Sequence, residues 1–392
     1  MALAAILATL WGQITFNPLS GLGIGLPHLT AAGGGLGMGR LSIVGVGMGL
    51  PEQPAHSAHL TAMHAEFSGY GRSQLLRTPS QRARFGSGAL QSLLMSFARG
   101  KGWGFALGLS PQAIQGYNGF TQLITNALSL SYAEKAEGLL SMAYAQASLR
   151  WKKLALGYQF GYLWSTYERQ RSLQAPTQTL PDFLLTNVRL SGIQHRIGLL
   201  WQDSMDKATL QVSAAYSFAA DLRRELTYSF QKNFSFTTSL TDTFTSVQDK
   251  WQYPSGTRVG VFIALPQWRL GIEGATASKA PDWNGMGIPS ARGRSAWELR
   301  TGAEWQPDAR SSAFYKRLRY QIGGYTAQPA YANVRLYGLT AGIGWQFPRS
   351  PNLIYVAVEH TVLPHPHIQE RSWIFTVAAV FRELWFIPPR ID

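Results

Sequence analysis

The sequence contains no cysteine among its 392 residues. This absence excludes a disulfide scaffold, a thiolate metal site and a cysteine nucleophile. Charged residues make up only 14% of the chain, below the roughly 25% that is usual in soluble domains. No stretch reaches the roughly 18 consecutive apolar residues that a membrane-spanning helix needs. A disulfide-rich scaffold and a helical membrane protein are therefore both disfavoured.

Motifs of nucleotide binding, acyl-transfer catalysis and metal binding are also missing. The chain has no G-x-G-x-x-G or Walker pattern, and no G-x-S-x-G turn that would present a serine nucleophile. His365 and His367 flank a proline, but metal sites need three or four converging ligands, and no cysteine or aspartate joins these two. We therefore expect a protein that is not an enzyme and that binds no cofactor or metal ion.

The charge balance is strongly basic, with a formal net charge of +14 at pH 7. A nucleic-acid partner is one interpretation, but the lysines and arginines are dispersed and form no basic helix or stripe. In a membrane protein such residues lie at strand ends and in loops, beside anionic headgroups. We expect contact with membrane lipid or lipopolysaccharide rather than with nucleic acid.

What the sequence does contain is a two-residue alternation, seen best from Tyr337 to Phe347. Alternate side chains of a β-strand point to opposite faces. Here one face is apolar with an aromatic residue at each end, and the other face is small or polar. Aromatic rings that carry a polar atom settle at both headgroup levels of a bilayer. The length of the stretch is about what a tilted strand needs to cross the hydrocarbon layer.

The same alternation returns along most of the chain, and single-chain membrane barrels have even numbers of strands. We therefore predict an all-β fold, a closed antiparallel transmembrane β-barrel of about fourteen strands. The candidate strands are 58–78, 82–99, 102–118, 139–151, 153–171, 183–202, 206–230, 255–265, 267–278, 295–306, 315–327, 334–348, 352–363 and 371–386. The predicted long loops are 119–138, 172–182, 231–254 and 279–294.

The alternation also assigns side chains to the two faces of the predicted barrel. Aromatic residues at the ends of apolar faces are expected on the outer surface at the two lipid–water levels: Trp297, Trp305, Tyr337, Trp345 and Trp373. Charges on the opposite faces are expected in the lumen: Arg269, Glu273, Glu298, Arg300, Glu304, Arg317, Arg319 and Glu359. Paired carboxylates can serve acid–base catalysis, but a barrel interior uses such charges as a cross-strand network that ties its walls together.

The N-terminal region differs from the rest of the chain. Residues 1–13 are typical of a short secretory signal, although no positive charge precedes the apolar stretch, and a buried N-terminal segment is the alternative. Residues 14–57 are rich in glycine and proline and lack strand alternation. We predict that they form a hatch inside the lumen and that 58–392 form the barrel. An apolar cargo would then meet hatch residues Leu22, Ile24 and Leu26.

Short motifs follow one another along the chain in a recognisable order. Asn17-Pro18-Leu19-Ser20-Gly21 comes first, Lys101-Gly102-Trp103-Gly104-Phe105 leads to Gly108-Leu109-Ser110-Pro111, and Phe381-Arg382-Glu383-Leu384-Trp385-Phe386 comes last. This order resembles a divergent branch of the FadL family of outer-membrane transporters. The resemblance implies a location in the bacterial outer membrane, a fourteen-stranded barrel with an N-terminal hatch, and passive uptake of hydrophobic molecules such as long-chain fatty acids or aromatic hydrocarbons.

Two elements of this family's mechanism correspond to positions of the chain. The family's hatch motif is Asn-Pro-Ala, and Gln53-Pro54-Ala55 takes its place here, which leaves the hydrogen bonding of the hatch open. Ser110 and Pro111 lie in the third candidate strand, where the resemblance implies a kink that opens sideways into the membrane. A proline there also removes one hydrogen bond of the strand ladder.

Three functions stay open at this point. Passive transport of hydrophobic small molecules is the leading hypothesis, an accessory barrel bound to other outer-membrane proteins is the second, and a pore for polar solutes is the third. Fourteen strands lie between filled and open barrels in width, so the contents of the lumen decide. A continuous apolar tunnel favours the transporter, a lumen filled by salt bridges favours the accessory barrel, and an open charged constriction favours the pore.

Overall fold

The fold is described from a computed structural model. The residues that the structure describes are 26–79, 82–98, 102–125, 128–175, 181–233, 239–285, 288–308, 311–331, 333–347, 350–365 and 368–383.

Fourteen antiparallel strands form the barrel within this described part of the chain. They are β1 Met63–Arg77, β2 Arg82–Ala98, β3 Trp103–Thr125, β4 Leu128–Trp151, β5 Leu154–Gln174, β6 Asp182–Met205, β7 Ala208–Ser217 with Ala220–Asn233, β8 Ser239–Tyr253 with Gly256–Ala264, β9 Trp268–Ala277, β10 Ala296–Trp305, β11 Arg319–Gln328, β12 Leu336–Gln346, β13 Leu353–Leu363 and β14 Gln369–Glu383.

The strands pair in sequence order, and the sheet closes on itself because β14 pairs with β1. At this closure Trp373 lies beside Ser73 and Val377 beside Gly69. β7 and β8 are each interrupted for two residues, yet β6 pairs with both segments of β7, and both segments of β8 continue beside them. The predicted fold, a closed antiparallel transmembrane barrel of fourteen strands, is confirmed.

The two faces of the wall follow the alternation of the sequence. In β12 the side chain of Leu339 is 71% exposed, whereas its neighbours Gly338 and Thr340 are buried. In β14 Phe375 is exposed and Ile374 is buried. A contiguous apolar outer surface of this kind is unfavourable in water and favourable in a bilayer, so the apolar face of each strand is the lipid face.

The five aromatic residues assigned to the outer surface differ in how far they are covered. Trp305, Tyr337 and Trp373 are 39%, 45% and 50% exposed. Trp297 and Trp345 are half-buried. The guanidinium of Arg335 lies over the Trp297 ring at 5.9 Å from its centroid, which explains the lower exposure of that tryptophan.

Two of the four predicted long loops are wrong. β3 runs to Thr125 and β4 starts at Leu128, so most of 119–138 is strand. The segment Ser239–Tyr253 likewise fills most of 231–254. A strand that leaves the bilayer no longer needs an apolar face, while its ladder of hydrogen bonds to the neighbouring strand continues. Apolar alternation therefore marks the membrane-embedded part of a strand and not its end.

The remaining elements are short. Helix α1 covers Phe314–Arg317, and 3-10 helices cover Gly33–Gly35 and Pro54–His59. A small hairpin pairs Trp283–Gly285 with Ile288–Ala291. Within the ranges given above, the helices are all too short and too polar to cross a membrane.

The two ends of the barrel have different connections. Two-residue turns at 152–153 and 206–207 lie at the end where β1 begins and β14 ends, here called the short-turn end. The opposite end, here called the long-loop end, carries the 278–295 connection between β9 and β10.

Candidate functional site

The segment 28–60, here called the inner segment, lies inside the barrel and touches the wall on several sides. Its side chains are largely buried, and Ala31 and Ala55 have no exposed surface. The wall comes close because it presents glycines: a Cβ atom added to Gly157 or to Gly302 would collide with the backbone of the inner segment. The inner segment therefore packs closely against wall strands as far apart as β5 and β10.

Residues 1–25 lie outside the described part of the chain, and with them lie the predicted signal 1–13 and the hatch residues Leu22 and Ile24. The division into a signal, a hatch at 14–57 and a barrel at 58–392 stays a prediction. The first barrel strand begins at Met63 rather than at the predicted residue 58, because the 3-10 helix Pro54–His59 precedes it.

Arg40 fixes the inner segment to β13. Its Nε donates to Glu359 Oε2 at 2.5 Å, and its Nη1 donates to the carbonyl oxygen of Leu29 at 2.7 Å. The side chains of Arg40 and Glu359 are 4% and 5% exposed. Tyr325 donates a further hydrogen bond to Glu359 Oε1 at 2.5 Å. The pair is thus buried, neutral as a unit and hydrogen-bonded on both sides.

Glu273 of β9 holds a second stretch of the inner segment. Its Oε1 accepts from three successive backbone N–H groups, those of Ser42, Ile43 and Val44, at 2.6, 2.7 and 3.1 Å. The residue is 1% exposed. Successive N–H groups that converge on one point form an anion-binding concavity. Here the carboxylate of Glu273 occupies the position of the bound anion.

A network of charges links the inner segment to β8 and β10. Arg258 lies against Glu298 and, at 3.3 Å, against Glu52 of the inner segment. Arg300 binds both oxygens of Glu298 at 3.1 Å, and its Nη1 donates to the backbone oxygen of Thr30 at 3.1 Å. Arg258 and Arg300 therefore each bind the wall carboxylate of Glu298 and also a group of the inner segment.

Glu304 of β10 is the centre of a third group of contacts. It accepts from Arg269 at 2.8 Å and from the side-chain amide of Gln321 at 2.7 Å, and Arg319 lies 3.9 Å away. The same amide of Gln321 donates to the carbonyl oxygen of Gly34 at 2.8 Å. Adjacent strands are tied to each other and to the inner segment by one cluster.

Seven of the eight charges that we assigned to the lumen lie on inward faces of strands β9 to β13: Arg269, Glu273, Glu298, Arg300, Glu304, Arg319 and Glu359. The assignment of Arg317 to a strand of the lumen wall is wrong. Arg317 is the last residue of helix α1, in the connection that precedes β11. The predicted strand 315–327 starts four residues before the observed β11, because a single turn of helix leaves no break in so short a pattern.

Gln53 forms several hydrogen bonds at the position of the predicted hatch motif. Its Nε2 donates to the carbonyl oxygens of Leu199 and Ala214 at 3.2 Å each, and to a serine hydroxyl of β7. Its Oε1 accepts from the backbone N–H of Ala55 at 3.2 Å, which caps the 3-10 helix. Glutamine in place of asparagine thus reaches two wall strands and still caps the helix that Pro54 begins.

β3 is bulged at the position of the predicted kink. Its register with β4 shifts between Pro111 and Ala113. Ser110 and Pro111 are both buried, and the carbonyl oxygen of Pro111 accepts from the hydroxyl of Thr30 at 3.3 Å. A bulge at a proline bends the strand and ends regular pairing on one side.

The edge of β3 beyond the bulge is covered from inside the barrel. In the described ranges, β2 pairs with β3 only as far as Leu109. The two-residue strand Leu26–Pro27 then pairs with Ile114 and Ala113, and the N–H of His28 donates to the carbonyl oxygen of Gln112 at 2.9 Å. Leu26, the one described member of the three candidate ligand contacts, therefore lies beside the bulge.

A cavity of about 210 Å³ lies between the inner segment and the long-loop end. Apolar groups such as those of Leu29, Ala113 and Ala327 form most of its lining, and the charged side chains of Glu52, Arg196, Arg258, Glu298 and Arg300 also face it. A smaller cavity of about 70 Å³ lies beside Leu26 and has both apolar and charged walls. Neither cavity is an apolar tunnel. The described side chains also contain no group of three or more potential metal ligands.

Comparison with known proteins gives the family of the chain. A sequence model of the BamG family matches residues 1–392. The chain belongs to the BamG family. No curated protein was found that matches the sequence.

Solved structures resemble this BamG-family barrel in fold. A FadL homologue of Pseudomonas aeruginosa is 12% identical with a TM-score of 0.65, and the match covers 91% of this chain and 99% of that one. The toluene transporter TbuX of Ralstonia pickettii is 13% identical with a TM-score of 0.61 and the same coverage. The toluene transporter TodX of Pseudomonas putida is 13% identical with a TM-score of 0.60, over 88% and 96% of the two chains. The FadL-like fold is thereby confirmed.

Sequence reasoning missed several residues that hold the BamG-family lumen together. Arg258 follows the alternation of β8, whose outward residues include Val259 and Val261. The two-residue alternation is therefore enough to place Arg258 on the inward face. Arg40 and Glu52 lie in the glycine- and proline-rich stretch, where no period exists to assign a direction. Only the three-dimensional path of the inner segment brings them to their partners.

We predict that acid weakens the packing of the inner segment of this BamG-family barrel, because two of its histidines, His28 and His56, are buried. Burial, and then Arg40, lowers the pKa of His28 from 6.5 to about 3, and burial, then His59, lowers the pKa of His56 to about 3. Once exposed, these imidazoles take up protons below pH 6.5, whereas in place they stay neutral down to about pH 3. Their contribution to stability is therefore complete above pH 6.5 and is lost as the pH falls towards 3.

We expect protease cleavage within 28–60 to accelerate between pH 6 and pH 4 in the reconstituted protein. The double variant His28→Gln with His56→Gln serves as the control, since it removes both titrating groups. Its cleavage rate should change less over the same interval. If the cleavage rates of the wild type and the double variant change equally with pH, His28 and His56 are not the groups that respond to acid.

Proposed function

We propose that this BamG-family barrel is an integral outer-membrane protein that acts as an accessory subunit of an outer-membrane protein complex. The observation that carries the proposal is the lumen, where the inner segment is held by ion pairs with the wall and where further ion pairs join wall strand β10 to β8 and link residues within β10. Family membership supports other outer-membrane proteins as its partners. The apolar outer face and the aromatic residues at its ends support the location.

The physical argument concerns what transport would require. A solute path through the lumen needs the inner segment to move, and each wall contact of Arg40, Glu273 and Glu52 then leaves a buried charge without its partner. Breaking one buried pair costs about 3–5 kcal/mol, so several together disfavour an open lumen. A barrel closed in this way has its outer surface and its loops available for protein contacts rather than its interior for cargo.

The test is purification of the tagged chain from native membranes in mild detergent, combined with transport measurements. We expect a stoichiometric complex with other outer-membrane proteins, and no uptake of labelled fatty acid by proteoliposomes above that of protein-free liposomes. A chain that is solitary in native membranes and that carries fatty acid would overturn the proposal.

Passive transport of hydrophobic small molecules by lateral exit is the second candidate function. The bulge of β3 at Pro111, where the strand edge beyond Leu109 pairs with the short strand Leu26–Pro27, is the observation that favours it. The solved structures of similar fold include two toluene transporters. Long-chain fatty acids or aromatic hydrocarbons would then pass between β2 and β3 once Leu26–Pro27 moved aside.

Two variants separate leakage from lateral transport. Deletion of 14–50 should raise nonselective leakage of a small polar dye from proteoliposomes, because fourteen strands without contents leave a partly open lumen. Pro111→Val restores a ladder donor and should straighten β3. If apolar cargo leaves beside β3, Pro111→Val lowers its uptake while dye leakage stays low. Unchanged uptake in Pro111→Val would rule out lateral exit at the bulge.

A further inference from the structure

Four arginines lie together where β14, β1 and β2 meet at the long-loop end. Arg77 of β1 lies directly opposite Arg82 of β2. Leu75 of β1 lies between Arg371 of β14 on one side and Arg84 of β2 on the other. All four arginines are exposed. They are here called the arginine cluster.

The arginine cluster points outward, away from the lumen. Residues directly opposite each other on paired strands share a face, and Leu75 belongs to the exposed face of β1. Arg371 shares its face of β14 with Trp373 and Phe375, which are 50% and 57% exposed. The nearest carboxylate along β14, Glu370, is buried on the inward face.

No carboxylate of the described residues forms an ion pair with the cluster. Glu370 is paired with Arg72 inside the barrel. Among the ion pairs of the described residues, none includes an arginine of the cluster. Like charges directly opposite each other destabilise a sheet, and Arg77 and Arg82 lie directly opposite each other. An anion from outside the chain would convert this repulsion into binding.

The spacing suits an anion with more than one charged group. Neighbouring strands lie about 4.8 Å apart, so Arg371 and Arg84, on the two sides of β1, are about 10 Å apart at the backbone. Arg82 and Arg84 are about 7 Å apart along β2. Guanidinium groups bind phosphate oxygens in pairs of hydrogen bonds, and their long side chains can converge over such distances.

The height of the cluster matches the headgroups of a bilayer. Arg371 lies two residues, or about 7 Å, beyond Trp373, and exposed tryptophans mark the boundary of the hydrocarbon layer. Below it, Phe67, Phe375 and Val377 form a continuous exposed apolar surface on β1 and β14. A molecule held here would place its charged group on the arginines and its acyl chains on the apolar surface.

We propose that the arginine cluster binds the phosphate groups of a phosphorylated glycolipid in the outer leaflet. The inference rests on the outer-membrane location in the proposed function, since long loops mark the outer side of such barrels. An acidic protein would approach the loops from above. The sideways direction of the cluster and the apolar surface beneath it favour lipid.

Binding of diphosphorylated lipid A to the purified protein in neutral detergent, followed by native mass spectrometry, tests the proposal. Arg77→Gln with Arg82→Gln should weaken binding about tenfold, because each loses a charge-assisted hydrogen bond. The double variant Arg77→Lys with Arg82→Lys should keep most of the affinity for lipid A, because both positive charges remain. The matched control is Lys152→Gln with Lys207→Gln, which removes the same charge from exposed turns at the short-turn end and should leave binding unchanged.

Two further ligands identify what the arginine cluster recognises. Lipid A without phosphate should bind at least tenfold more weakly than the diphosphorylated form, and inorganic phosphate at equal concentration should not displace the latter. Equal binding of both lipids, equal binding by the glutamine double variant, or an effect only on capture of an acidic protein would overturn the proposal. The assay needs no partner protein, so a negative result would leave the accessory-subunit proposal standing.

Discussion

Replacing Glu359 with alanine is expected to lower the free energy of unfolding of the barrel by about 3–5 kcal/mol. The carboxylate accepts from Arg40 at 2.5 Å and from the hydroxyl of Tyr325 at 2.5 Å. Without it, the guanidinium of Arg40 stays buried in the inner segment with a single backbone acceptor, the carbonyl of Leu29. The measurement is a urea titration of the protein folded in lipid vesicles, with dye leakage as a second readout of the inner segment.

The control removes both charges at once. Arg40→Met with Glu359→Leu replaces the buried pair by apolar side chains of similar volume, which is often neutral or stabilising. We therefore expect the double variant to be markedly more stable than Glu359→Ala alone. If Glu359→Ala unfolds at the urea concentration of the wild type, the pair does not hold the inner segment in place.

The barrel wall could be predicted from the sequence because a membrane strand repeats one local rule. Successive side chains of β12 or β14 face lipid and lumen in turn, and the face that meets lipid must be apolar. The same rule places Glu273 and Arg300 inside. It carries no information about where a strand ends outside the bilayer. The sequence therefore predicts a loop where the structure has the strand Ser239–Tyr253.

The contents of the lumen could be predicted only in part. The glycines and prolines of the inner segment indicate a chain without regular strand, but its contacts join residues that are hundreds of positions apart. Arg40 meets Glu359, and the N–H groups of Ser42 and Ile43 meet Glu273, only because the segment follows one path across the closed barrel. No local pattern encodes that path.

The difference between the barrel wall and the contents of the lumen also explains why the fold does not decide the function. The wall of this chain resembles barrels that include toluene transporters. Function depends on whether cargo can pass, and that depends on the inner segment and on the edge of β3. Charged contacts that join wall and inner segment, such as Arg258 with Glu52, are the reason why we propose a closed barrel that acts through contacts of its outer surface.

Placing an arginine at Leu339 is expected to destabilise the barrel by roughly 2–4 kcal/mol in lipid vesicles. Leu339 is 71% exposed and lies two residues from the centre of β12, so the new charge would lie within the hydrocarbon layer. The cost falls towards the headgroups, where the guanidinium reaches water. Tyr337→Arg, two residues nearer the end of the same face, is the matched control and should cost about 0–1 kcal/mol. Reversible urea unfolding in vesicles of defined thickness measures both.

The inward face of the same strand gives the second comparison. A Cβ atom added to Gly342 would lie 3.0 Å from the side-chain oxygen of Gln321 and 3.1 Å from the Cα of Gly37. Gly342→Arg should therefore destabilise the barrel because the new side chain collides with the inner segment. A thinner bilayer should not restore its stability. The penalty of Leu339→Arg should shrink as the bilayer becomes thinner, because the charge then lies closer to water. A Leu339→Arg protein that folds as stably as the wild type in every bilayer would show that this face of β12 does not meet lipid.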